Sequence, residues 1–156
     1  MDKRLVAVFF LMVVTGAGTA AAADKGSFGV GIGALYNGLG GNYALIKADD
    51  LKYISLGCSE ARHSSAEGTN LTCGIGIGWL RSDLLTRKNS KHAIGLNIAL
   101  DYDQYHSEIE PSIRLPYVLF FRGLDRRGWN IGVAPLVRWD ADGTELGVML
   151  EIGYQF

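Results

Sequence analysis

The sequence predicts an all-β protein: an eight-stranded antiparallel up-and-down transmembrane β-barrel that follows an N-terminal signal peptide. Three observations predict it. Beyond residue 24 no window of ten residues keeps a helical period. Apolar residues instead alternate with small or polar ones at the period of two that sends strand side chains to opposite faces. The less apolar face is mostly Gly, Ala and Asn with a few charges of both signs, whereas a soluble sheet is coated with Lys and Glu. Aromatic residues fall near strand ends with aliphatic residues between them, as in a barrel that meets two membrane interfaces.

The first element is the leader, residues 1–23. Lys3 and Arg4 open it, and Leu5 to Val14 form an apolar run of the length of a signal-peptide core. The small residues from Thr19 to Ala23 offer cleavage sites, so the mature barrel would span 24–156. A transmembrane helix needs about 20 apolar residues, and this run reaches that length only by including Gly16, Gly18 and Thr19. Removing Asp2, Lys3 and Arg4 from totals of 15 basic and 16 acidic residues leaves 13 against 15. That balance argues against nucleic acid, which requires a basic stripe.

The strands follow in order. "FGVGIGALY" sets Phe28, Val30, Ile32, Ala34 and Tyr36 on one face and Gly29, Gly31 and Gly33 on the other, and Asn37-Gly38 reads as a tight hairpin turn. A second strand is expected over 41–47 and a less regular third over 51–59. "SEARHSSAEGT" reads as a polar loop. In "NLTCGIGIGWL", Leu71, Cys73, Ile75, Ile77 and Trp79 oppose three glycines. "HAIGLNIALDYD" sets Ile94 to Tyr102 against Asn97 and Asp101. The sixth strand is expected over 108–122, and the seventh is "WNIGVAPLVRW". The eighth, "LGVMLEIGYQF", alternates from Leu146 to Phe156. If the first strand starts in the periplasm, Phe28, Trp79, Phe121, Trp129, Tyr154 and Phe156 gather at that end, and Tyr36, Tyr43, Tyr102 and Trp139 at the outer end. The two cysteines, Cys58 and Cys73, suggest a disulfide in an oxidising compartment.

"LGVMLEIGYQF" resembles the C-terminal strand of bacterial outer-membrane β-barrel proteins, and the leader, size and strand count resemble the small eight-stranded barrels of the OmpA and OmpX type. The resemblance implies that Phe156, Tyr154, Ile152, Leu150 and Val148 are read by the barrel-assembly machinery. It places the protein, as a monomer among outer-membrane lipids, in the cell outer membrane of a Gram-negative bacterium, reached through the periplasm. One feature departs from the pattern: the connection from Leu80 to Lys91 is long for a periplasmic turn, and only residues 59–70 would form a sizeable outer loop.

An eight-stranded interior is just wide enough to be filled by side chains. The expected role is therefore structural, or in surface interaction at the cell envelope, with no catalysis and no cofactor. Asp101, Glu110, Arg114, Arg138 and Glu151 would form a lumen charge network, because buried charges need partners. Two alternatives stand. A narrow channel would use the Gly-rich face and Asp101, Asp103, Glu108 and Glu110 to pass small cations, although aqueous channels usually need wider barrels. A lipid A-modifying enzyme of the deacylase kind would use His-x-Ser with a nearby Glu. "YHSEIE" offers His106, Ser107 and Glu108, but adjacent strand residues point to opposite faces. "RHSS" offers His63 and Ser65 at the right spacing in a polar loop, and neither fragment is followed by the Asn that such enzymes carry. No metal site is expected, since His63, His92 and His106 are far apart and neither cysteine has a histidine at ligand spacing.

Overall fold

The structure is a computed structural model that describes residues 25–64, 68–84, 91–104, 107–140 and 143–156, with only the backbone described for 60–64 and 68–71. The predicted leader, Ser65 and His106 lie outside the described residues, as does the side chain of His63. The chain forms strands β1 (Lys25–Ile32), β2 (Leu39–Lys47), β3 (Asp50–Ser64), β4 (Gly68–Arg81), β5 (His92–Asp103), β6 (Glu108–Arg114), β7 (Tyr117–Phe120), β8 (Gly128–Asp140) and β9 (Gly143–Gln155). A single 3-10 turn, Ala34–Tyr36, separates β1 from β2.

All pairings are antiparallel: β1 to β5 pair in chain order, β5 and β8 both pair with β6 and β7, β8 pairs with β9, and β9 pairs with β1, so the sheet closes on itself. Nine strands make a ring of eight members, because β6 and β7 are one member interrupted at Leu115-Pro116. Pro116 has no N–H to give the ladder. Its carbonyl still accepts from Gly95 N–H at 3.0 Å, and Leu115 N–H still donates to Pro135 O at 2.9 Å. The register against β8 runs through the break, from Arg114 opposite Leu136 to Tyr117 opposite Val133. The strand expected over 108–122 is therefore split by a proline at its centre and ends two residues early.

The ring is staggered. Following pairs from Gly29 through Asn42, Ser55, Gly76, Ala99, Ser112 and Arg138 leads to Glu145. Glu145 stands seven positions before Ile152, whose partner on β1 is Ile32, three positions beyond Gly29. The accumulated offset is about ten residues, the kind of shear that tilts strands in a closed sheet.

Burial reverses the arrangement of a soluble sheet. The alternating aliphatics Val30, Leu56, Ile77, Leu100, Ile131, Val148 and Leu150 are exposed on the outside of the ring. Asn42, Ser55, Asn97, Asp101, Arg114, Asn130, Glu151 and Gln155 are buried inside it. The interior is layered. Toward the end that holds Lys25 and Phe156 it is apolar, filled by Ile46, Leu51, Leu80, Ala93, Val118 and Phe120 with Leu124 from the β7–β8 loop. Toward the other end it becomes polar. Sequence periodicity did not reveal this layering, because Ile46, Leu51, Leu80 and Phe120 occupy inward positions that a two-letter pattern expects to be polar.

Three other expectations change. "SEARHS" and "GT" are strand, not loop: β3 and β4 continue as a pair past the ring, with a register shift between Cys58 and Glu60. β1 stops at Ile32, and the chain turns into the ring interior instead of continuing to Tyr36. Tyr36 is consequently fully buried inside, not part of an outer aromatic belt. Tyr43 pairs directly with Phe28, ring centroids 4.9 Å apart, and so joins the aromatics at the end of the ring where the chain's described ends lie. Tyr102 and Trp139 remain exposed toward the opposite end.

Candidate functional site: a buried polar network in the ring interior

The first link of this site is the turn at residues 33–38. Gly33 at φ +119° takes a conformation open mainly to glycine, and Asn37 sits in the left-handed region at φ 55°. Reciprocal hydrogen bonds between the Gly33 and Gly38 backbones, 2.9 and 3.0 Å, close the loop at its base. Ala34, Leu35 and Tyr36 are thereby driven into the ring, where all three are fully buried. The sequence carried a signal for this: three consecutive apolar residues, Ala34-Leu35-Tyr36, break the alternation just after a glycine.

Two glycines make room for the turn. Gly31 and Gly153 are directly paired between β1 and β9, and the Tyr36 ring lies against both; a Cβ on either would overlap it. Tyr36 Oη donates to Asn130 Oδ1 at 3.0 Å and accepts from Asn130 Nδ2 at 2.7 Å. Asn42 Nδ2 donates to Leu35 O at 3.1 Å. Gln155 Nε2 donates to Asn42 Oδ1 at 3.1 Å and Ser27 Oγ at 3.0 Å, which ties the turn to β2, β9 and β1.

At the centre lies a fully buried ion pair. Arg114 Nη2 donates to Asp101 Oδ2 at 2.6 Å, and both side chains are 0% exposed. Arg114 Nη1 donates to Asn37 Oδ1 at 2.7 Å, and Asn37 Nδ2 donates to Asp101 Oδ1 at 2.8 Å, so the inserted turn bridges both charges. Arg114 Nε donates to Ser112 Oγ at 3.1 Å. An arginine needs this many acceptors when water is excluded, because each unmade bond to a buried charge is costly.

Of the five charges expected in the interior, the structure brings Asp101 and Arg114 together. It places Glu110 and Arg138 as a looser pair, 3.5 Å apart and slightly exposed, nearer the rim. Glu151 stands apart from both arginines' hydrogen bonds. It is buried beneath the inserted turn, where the Ala34 and Leu35 N–H groups approach it, yet neither carboxyl oxygen makes a hydrogen bond of good geometry. Asn37, Tyr36, Asn130 and Gln155, absent from the sequence-based set, complete the network.

The other predicted residues are on the surface. Ser107, at φ 57°, is exposed in the turn before β6, and Glu108, the first residue of β6, is also exposed. Cys58 and Cys73 form a disulfide across directly paired positions of β3 and β4, on the outward face. Leu150, Ile152 and Phe156 point outward, with Tyr154 half-buried between Trp129 and Phe156. Among the described residues no three His, Cys, Asp or Glu side chains are grouped to hold a metal ion. Comparison with protein-family models, curated proteins and solved structures gives no match.

Proposed function

We propose that this protein is a small outer-membrane β-barrel of the OmpA and OmpX type, embedded as a monomer among the lipids of a Gram-negative envelope and serving a structural or surface-interaction role without catalysis. The observation that carries the reading is the reversed polarity of the ring: a buried ion pair and amide network inside, large aliphatic side chains outside. In water that arrangement loses the hydrophobic driving force of folding; in lipid the apolar band is the correct outer surface. The dimensions agree. On β8, Trp129 and Trp139 are outward and ten positions apart. At about 3.3 Å per residue and a tilt near 40°, they span roughly 25 Å, the height of the apolar band of such barrels.

In this orientation the end holding Lys25 and Phe156 faces the periplasm, and the β3–β4 arm with its disulfide at the base projects outward. The outward Leu150, Ile152, Tyr154 and Phe156 are then the residues offered to the barrel-assembly machinery. The apolar plug and the inserted turn favour a filled barrel over a channel.

Cell fractionation with electrophoresis of unheated and boiled samples tests the reading. The protein should be found in the outer-membrane fraction, with an unheated band that migrates apart from the boiled one. Recovery from the soluble periplasm with no shift would sink it. Planar-bilayer recordings on the purified protein should give no steady conductance; stable openings would favour the channel.

A further inference from the structure

The loop between β7 and β8 is held in one shape. Leu124 is fully buried in the apolar layer, and Gly123 turns the chain at φ +105°. Gly123 N–H donates to Phe120 O at 3.2 Å, Arg126 N–H to Gly123 O at 3.3 Å, and Phe121 N–H to Trp129 O at 3.1 Å. Lys25 Nζ donates to Asp125 O at 2.8 Å and ties the loop to the start of β1. The loop so fixed directs Arg122, Arg126 and Arg127 around a cavity of about 530 Å³, whose wall is completed by Lys91 and Phe121. Among the described residues no acidic side chain lines it. Among the described residues no carboxylate pairs with any of the three arginines.

The location matters as much as the charge. Phe121 and Trp129 are half exposed on the outward apolar face beside the loop. The cavity therefore opens where the apolar band meets the basic end of the ring, the level of lipid headgroups if the ring spans a bilayer. Guanidinium groups bind phosphate oxygens with paired, charge-assisted hydrogen bonds, and a basic pocket at this level suits an anionic headgroup. Phe121 adds an apolar wall that a lipid's glycerol and acyl region would cover and a free anion would not need.

We propose that this cavity binds the phosphate headgroup of an anionic phospholipid in the leaflet next to the β7–β8 loop. The proposal rests on the membrane-spanning reading above. The test uses the full chain folded in a neutral detergent, given equal amounts of phosphatidylglycerol and phosphatidylcholine of the same chain length, with retained lipid read by native mass spectrometry. The wild-type protein should retain phosphatidylglycerol about tenfold over phosphatidylcholine. The Arg122→Gln, Arg126→Gln, Arg127→Gln triple variant should lose that preference while keeping its heat-sensitive gel shift. Equal retention of both lipids by the wild type, or an unchanged preference in the triple variant, would overturn the proposal. Retention of inorganic phosphate by the wild type with neither lipid retained would reassign the cavity to a free anion. A wild-type protein with a normal gel shift but no lipid preference fails this proposal alone; one with no gel shift fails the membrane reading beneath it.

Discussion

At the scale of single residues, the ring interior depends on how a buried arginine is satisfied. Arg114 and Asp101 are fully enclosed and joined through Asn37. Removing one partner leaves the other charge buried and unpaired, which costs about 3–5 kcal/mol, while removing both costs less. Arg114→Met and Asp101→Asn should therefore each destabilise strongly in urea titrations of the protein in liposomes, and the double variant should recover part of the loss. Equal, additive effects would mean that water reaches the pair. Asn37 has two separable roles, its left-handed backbone and its two hydrogen bonds. Asn37→Gly keeps the first and loses the second; Asn37→Ala loses both and should be worse by roughly 1 kcal/mol. The charges of this site were legible from their alternation with outward aliphatics. Asn37 was not, because Asn-Gly is also the commonest hairpin signal, and here the same dipeptide ends a turn that folds into the ring.

At the scale of elements, the sequence pattern located the ring members but not where each one starts, stops or bends. Pro116 splits one strand without altering its register, and the period of two continues on either side. The polar continuation of β3 and β4 past Cys58 and Cys73 escaped the pattern for a physical reason. A strand is read from apolar residues that recur at every second position, and 59–64 and 68–70 carry almost none to mark one. The disulfide sits where that arm leaves the ring. Closing a loop of this size is worth on the order of 3 kcal/mol in the chain-entropy treatment. A Cys58→Ser, Cys73→Ser double variant should show a loss near that value in the same urea titrations, and a loss below about 0.5 kcal/mol would place the arm's stability elsewhere. The inserted turn depends on a slot, not a bond: Gly31 and Gly153 leave space for the Tyr36 ring. Gly153→Val should cost about 1–3 kcal/mol through overpacking, and combining it with Tyr36→Ala should cost less than the two changes summed, which a double-mutant cycle would read directly.

At the scale of the whole molecule, the all-β antiparallel architecture was legible because alternation records which side chains share a face. Which face lies inside is a separate question, answered in the sequence only by composition: glycine, asparagine and mixed charges on one side, aliphatics and aromatics on the other. The structure closes the ring with the polar side in. The aromatic distribution was half legible. The cluster at the Lys25 and Phe156 end grows by Tyr43, and the opposite end keeps only Tyr102 and Trp139 of the four aromatics expected there. An outward charge distinguishes lipid from water at this scale. Leu150 is 76% exposed, so Leu150→Arg would be nearly neutral in water, whereas in a bilayer it should cost about 2–4 kcal/mol in folding titrations into liposomes. The most direct test of the central claim is a nitroxide scan along β9 in the Cys58→Ser, Cys73→Ser background, with single cysteines placed in turn from Leu146 to Ile152 and collision rates measured with oxygen and with a water-soluble nickel complex. A membrane-spanning ring gives a period of two, with oxygen contact highest and nickel contact lowest at Val148, Leu150 and Ile152. Nickel contact that is highest at those same positions would place the aliphatic face in water and contradict it.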